Sequence, residues 1–388
     1  MPLLLALLAS QDLTTEWIDR VSRDTLQAKG PLSFQPLKHT LNLGAFAAYS
    51  TNVNLEESDE EGQTVIIPFL RARLEYSERQ VDAAADILAN WKYYIPDHEA
   101  SDDEERVYGR IRYVGPRLSL EGAEIFQHVS DPVDVVFADR VDRLLSDTIG
   151  RARLEASGTF ALEAEVDLGI VRFQEKSFDE GDNWNLRGGL GLAARLTSAL
   201  ELVAEGGAFV IDYRYSTGAP PDAEGLFARG GLRGDLLPSL SLTALVGVAR
   251  ASSDDFASGV EGEEEETGEA AVHLKFEASP VLTLYGDYSR QFTFAVGTDP
   301  FQLVNRVVAA AEWDVTGEVR LLGRVQYDLA ETSGGVEREY ASAAASLRYR
   351  SHEQVFFDTG LTYRRGEVSP SDFDYDEWVL HVGFLITN

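Results

Sequence analysis

The chain has no cysteine in 388 residues, a single methionine, and only 34 lysines and arginines against 65 acidic residues. Without cysteine there are no disulfide staples, thiolate nucleophiles or cysteine-held metals. The shortage of cations, a formal charge of −31, argues against nucleic acid as a partner, because phosphate binding needs clustered basic surface. Long hydrophobic runs are also missing: no uncharged apolar stretch approaches the ~18 residues of a membrane-spanning helix. The six histidines, at 39, 98, 128, 273, 352 and 381, stand on separate segments with no H-x-x-x-H pair. No nucleophile–base pair stands out, so no enzyme activity, cofactor or metal is expected. The glycine-rich "RGGLRG" at 229–234 lacks the spacing of a nucleotide-binding loop and suits close backbone approach within a strand.

What the chain has in abundance is alternation. In "EVRLLGRVQYDLAE" (318–331), Val319, Leu321, Gly323, Val325, Tyr327 and Leu329 take the odd positions, while Arg320, Arg324, Gln326 and Asp328 take even ones. Successive side chains of a strand point to opposite faces, so one face is apolar and the other ionic. The pattern recurs in "TLNLGAFAAYS", "QVDAAADILANWKYY", "NWNLRGGLGLAARL", "EAAVHLKFE" and "EWVLHVGFLITN". About 18 such segments follow one another from residue 37 to 388, the fifth starting near 122 and the last near 377. Tight connections, such as Gly158, Ser198, Pro238–Ser239 and Thr316–Gly317, with one read at Glu121–Gly122, alternate with longer polar ones.

Segments of that length, with short turns on one side and longer loops on the other, are the signature of a transmembrane up-and-down antiparallel β-barrel, here of 18 strands with 16 as fallback. So many two-faced strands, with no helices to cover them, leave a soluble core too small for their apolar faces. The lipid bilayer is the partner expected for the apolar face and a water-filled lumen for the ionic one. An even strand count puts both termini on the side of the tight turns, the periplasm in bacterial barrels, and turns the acidic loops outward. A soluble β-rich binding protein and an outer-membrane hydrolase are the weaker alternatives.

Ahead of the barrel, "MPLLLALLASQ" at 1–11 reads as the end of a secretory signal without its basic start. Residues 12–36 read as a periplasmic segment whose 14–29 stretch forms a short amphipathic helix, stopped by Gly30–Pro31.

The residues expected to line the lumen are Arg71, Arg73, Arg187, Arg195, Arg229, Arg233, Arg320, Arg324, Glu163, Glu165 and Asp328. They permit two readings together: arginine–carboxylate ladders that brace the wall, and groups that hydrogen-bond or orient a solute in transit. The acidic runs 102–105 and 263–266 lack the D-x-D-x-D-G calcium pattern and read as solvated loops.

Three stretches carry a resemblance: "AYSTNVNLEESDEEG", "FQHVSDPVDVVFADRVDRLLSDTIGRARLEASGTFAL" and "SRQFTFAVGTDPFQLVNRVVAAAEWDVTGEVRL". Over residues 37–388 the chain resembles the outer-membrane β-barrel porin-like family associated with exopolysaccharide biosynthesis and export. The resemblance implies an 18-stranded barrel passing a secreted polysaccharide, a periplasmic polysaccharide export protein beneath it, and insertion by the barrel assembly machinery. It implies no catalytic residues. One departure is the chain end, where Phe384 is followed by Leu385, Ile386, Thr387 and Asn388 in place of a closing aromatic. General or small-solute diffusion is the alternative function, since 16 to 18 strands enclose an aqueous channel.

Overall fold

A computed structural model of the chain describes residues 37–51, 62–95, 102–129, 132–134, 137–140, 142–174, 182–213, 221–253, 262, 264–293, 299–369 and 373–388. The leader read at 1–11, the segment 12–36 with its predicted helix, and loop 254–261 lie outside the described residues.

Alternation yields strands where it was expected to. In order they are β1 (Leu37–Ser50), β2 (Gln63–Glu78), β3 (Val81–Ile95), β4 (Asp102–Val114), β5 (Leu118–Val129), β6 (Pro132–Asp134), β7 (Phe137–Arg140), β8 (Arg143–Glu155), β9 (Phe160–Phe173) and β10 (Asn183–Arg195). The second half holds β11 (Leu200–Tyr213), β12 (Ala223–Leu237), β13 (Leu240–Ser253), β14 (Glu264–Ser279), β15 (Leu282–Thr293), β16 (Gln302–Asp314), β17 (Val319–Thr332), β18 (Glu337–His352), β19 (Val355–Ser369) and β20 (Phe373–Thr387). The short β6 and β7 pair only with each other, in the connection between β5 and β8. The other strands form one 18-stranded antiparallel sheet, and β1 bonds to both β2 and β20. The sheet therefore closes into a barrel. Closure leaves no strand edge with unpaired amides, which hydrocarbon would penalise by several kcal/mol per group.

Three of the tight turns share one device. The side-chain oxygen of Ser157 accepts from the backbone N–H of Thr159 and Phe160, that of Thr197 from Ala199 and Leu200, and that of Thr316 from Glu318 and Val319. A hydroxyl two or three residues ahead of the returning strand supplies the acceptor that the reversing backbone lacks. On the opposite side, β17 and β18 are joined by only four residues, with Gly335 at φ 82°, a conformation glycine takes without Cβ strain.

Two local expectations are corrected. The turn read at Glu121–Gly122 lies instead at Gly115–Pro116–Arg117, where the Gly115 N–H donates to the Leu118 carbonyl at 2.8 Å. Glu121 is a strand residue opposite Arg112 on β4 and Arg151 on β8, and those inward-pointing guanidiniums explain an acidic residue there. The acidic runs read as loops also fall partly on strands, Asp102–Glu105 in β4 and Glu264–Glu266 in β14. Strand ends at the long-loop rim stand beyond the apolar belt, where carboxylates stay hydrated.

The two faces answer the solvent question directly. Outward Leu190, Leu226 and Val246 are 73%, 66% and 64% exposed, whereas inward Arg71 and Asp86 are 4% and 3% exposed. This inversion of the soluble pattern is a surface built for lipid. Outward aromatics collect at both ends of the strands: Tyr49, Trp91, Tyr93 and Trp378 toward the long loops, and Phe160, Trp313 and Tyr349 toward the tight turns. Such girdles mark the two membrane–water borders. The chain is a transmembrane β-barrel.

Candidate functional site in the barrel lumen

Inside the barrel a cavity of about 500 Å³ is bounded by the inner faces of β4, β5 and β8 through β16. Its arginines are Arg112, Arg151, Arg153, Arg187, Arg229, Arg233 and Arg306, and its carboxylates Glu121, Glu163, Glu165, Asp167, Glu205 and Asp287. Strand alternation places these charges here: outward positions on the same strands carry Leu162, Val166, Leu186, Leu190 and Leu202. A charge on the lipid face costs roughly 2–4 kcal/mol for Arg or Lys at mid-membrane, so most of the charged residues of these strands gather inside.

The charges lock together in a ladder that runs around the wall. Arg153 on β8 bonds to Glu163 at 2.6 Å and Glu201 at 2.5 Å, and Arg233 on β12 bonds to the same two carboxylates at 2.6 and 2.9 Å. This square ties four strands that are not all neighbours. Arg151 pairs with Glu165 at 2.9 Å, Arg229 with Glu205, and Arg306 with Asp328 at 2.8 Å. A guanidinium carries five N–H donors, more than one carboxylate can accept, so each of these arginines can bridge several groups as Arg153 and Arg233 do.

The most unusual element is a stack built on Gly207. A Cβ there would stand 2.0 Å from the Gly188 carbonyl and 2.7 Å from the Phe227 ring, so the bare glycine lets that ring lie against the wall. The guanidinium of Arg187 lies over the ring, 3.8 Å from its centroid, and reaches Glu269 on β14 at 2.6 Å. Glu269 has a fully buried side chain, while Arg187 keeps 16% exposure. Flat stacking on an aromatic face while donating sideways to a carboxylate suits the planar guanidinium, and a lysine ammonium cannot reproduce it.

The residues expected to line the lumen separate into two groups. Arg187, Arg229, Arg233, Glu163 and Glu165 border the cavity. Asp328 stands behind it as the partner of Arg306. The others serve the wall elsewhere: Arg71 is held by Asp86 at 2.5 Å, Arg73 by Glu75 at 2.5 Å, and Arg320 by Asp314 at 2.5 Å. Arg324 donates to Gln326 at 2.7 Å, and Arg195 caps the Gly158 carbonyl of a tight turn at 3.1 Å.

The inner face is also less uniformly polar than alternation suggested. Phe46, Ile67, Phe69, Leu88, Phe356 and Leu385 form one inward apolar cluster, and Phe209, Phe227, Phe292, Phe301 and Leu303 belong to another. Lipid forbids charge outside, but water inside does not forbid apolar side chains that shield one another. Sequence reasoning missed Phe227 for this reason. Its only signal is the inward parity it shares with Arg229, and that parity becomes meaningful once the face is assigned.

No family model matches the chain, and no curated protein does. Among solved structures, it is similar to OccK2 (OpdF) of Pseudomonas aeruginosa, at 13% identity over 90% of this chain and 98% of that one, TM-score 0.45. OpdK of the same organism, solved with vanillate, gives 12% identity over 90% and 99%, TM-score 0.46. A BenF-like porin from Pseudomonas fluorescens gives 10% identity over 91% and 99%, TM-score 0.48.

Proposed function

We propose that the barrel is a diffusion pore for small polar and charged solutes. The observation that carries this reading is the cavity of about 500 Å³ edged by seven arginines and six carboxylates. Its charges are nearly balanced and mostly paired, so the site offers many weak hydrogen bonds, each about 1 kcal/mol net and easily exchanged with water. Weak, multiple contacts suit passage; one tight site would retain the solute.

Polysaccharide export, the reading implied by the sequence resemblance, asks for hydrogen-bonding groups along the whole path of a long polymer. The inward apolar clusters around Phe46 and Phe209 offer such a polymer no hydrogen bonds and favour the small-solute reading. Liposomes carrying the purified barrel test the choice. Swelling in monosaccharides and amino acids that falls away as oligosaccharides lengthen is expected. Free passage of long oligosaccharides with no size cut-off would return the polysaccharide reading.

A further inference from the structure

Several buried carboxylates of the inner wall hold a cation: Asp86 has Arg71, Glu104 has Lys92, and Glu269 has Arg187. Asp147 on β8 and Asp167 on β9 depart from that pattern. Each is 3% exposed, yet the Oδ2 of Asp147 and both carboxylate oxygens of Asp167 accept no hydrogen bond from any described residue. Two arginines that could answer Asp167 are engaged elsewhere. Arg187, directly opposite it on β10, donates to Glu269, and Arg151 on β8 donates to Glu165. On their other flanks, Asp167 stands opposite Ile149 and Asp147 opposite Ile125, whose side chains offer no donor.

Register brings the two carboxyl groups together. Asp147 stands opposite Gly169, two residues along β9 from Asp167 on the same inward face, so the pair are diagonal neighbours whose side chains can meet. They lie within hydrogen-bonding reach of each other. Gly169 leaves the wall bare between Asp147 and β10, and the amide of Asn185, opposite Gly169 on β10, lies across that gap. A Cβ on Gly169 would stand 2.7 Å from both Nδ2 and Oδ1 of Asn185. Asp167 borders the lumen cavity, so the cluster is approached from the channel side.

We propose that Asp147, Asp167 and Asn185 form a calcium site in the lumen wall. Two ionised carboxylates this close repel each other, and a buried charge needs a partner; one divalent cation between them meets both needs. The donors are all oxygen, two carboxylates and an amide carbonyl, which is the set calcium takes, whereas zinc-type ions favour nitrogen and sulfur. Lumen water completes a calcium shell of about 6–8 oxygens, which tolerates irregular geometry where magnesium demands a near-ideal octahedron. The site stands whatever solute the barrel conducts. The competing account is a carboxyl pair that is hydrated or shares a proton and binds no ion.

Calorimetric titration of the chelator-treated, folded full chain in detergent with calcium chloride separates the two. One ion per chain is expected, with affinity at least tenfold weaker in Asp147→Asn and in Asp167→Asn, and unchanged in Glu266→Gln, an exposed carboxylate at the long-loop rim. Each aspartate change keeps the side-chain shape and removes a buried charge, and heat-modifiable migration establishes that the barrel is folded. As a second readout, calcium is expected to raise the unfolding temperature of the wild type, since it binds the folded state, and to raise it far less in the two aspartate variants. No calcium binding by the folded wild type overturns the proposal. Equal affinity in Asp167→Asn does so too, and assigns the bound ion to the acidic rim.

Discussion

Neutralising Glu269 gives the sharpest view of how the lumen handles charge. Its buried carboxylate holds Arg187, at 2.6 Å, over Phe227 at the cavity edge. Glu269→Gln keeps an oxygen that accepts from the guanidinium and preserves shape, so the stack stays assembled, but one negative charge disappears. A monovalent ion passing ~4 Å from that charge changes in energy by about 1 kcal/mol in a water-like medium and about 4 kcal/mol at an effective dielectric of 20. The lower figure alone is roughly fivefold for each ion and, because cation and anion shift in opposite directions, on the order of 30-fold in the anion-to-cation permeability ratio. Salt at 0.1 M, with a screening length of about 10 Å, leaves an effect at this range largely intact. The assay is the reversal potential of single barrels across a KCl gradient, and the expected shift is toward anions. An unchanged reversal potential in a folded variant would refute the placement of Arg187 on the conduction path.

Other outcomes follow from the wall itself. Arg71→Met strands Asp86, which is 3% exposed, and is expected to cost about 3–5 kcal/mol in denaturant unfolding, with most of it recovered in Arg71→Met/Asp86→Leu. Gly207→Val drives a side chain into the Phe227 ring and the Gly188 carbonyl; about 1–3 kcal/mol of stability is expected to go, with conductance altered because Arg187 loses its platform. Leu190→Arg, on the lipid face at 73% exposure, is expected to cost roughly 2–4 kcal/mol, measured as loss of heat-modifiable folded barrel.

Much of the architecture is legible in period 2 alone. In β17 the six apolar odd positions from Val319 to Leu329 all face outward, and Arg320, Arg324, Gln326 and Asp328 face in. Boundaries were readable where turn chemistry is local, as at Ser157, Thr197 and Thr316. They were misread at Glu121, whose charge is answered by Arg112 and Arg151 on strands brought together only by register. Parity also told which arginines point inward, but not which share a cavity. Arg187 meets Glu269 across 82 residues of sequence because Gly207 and Phe227 shape the intervening wall. The approach of His128 Nδ1 on β5 to the Glu105 carboxylate on β4, at 3.1 Å, was hidden for the same reason, since register between those strands creates it.

In a barrel of this kind the apolar face meets lipid and the inner face conducts. Planar-bilayer recording of the folded, detergent-purified barrel tests it most directly. Discrete current steps that scale with salt concentration, with weak ion selectivity befitting seven arginines against six carboxylates, are the expected result. Heat-modifiable barrel that inserts into the bilayer yet carries no current would contradict the account.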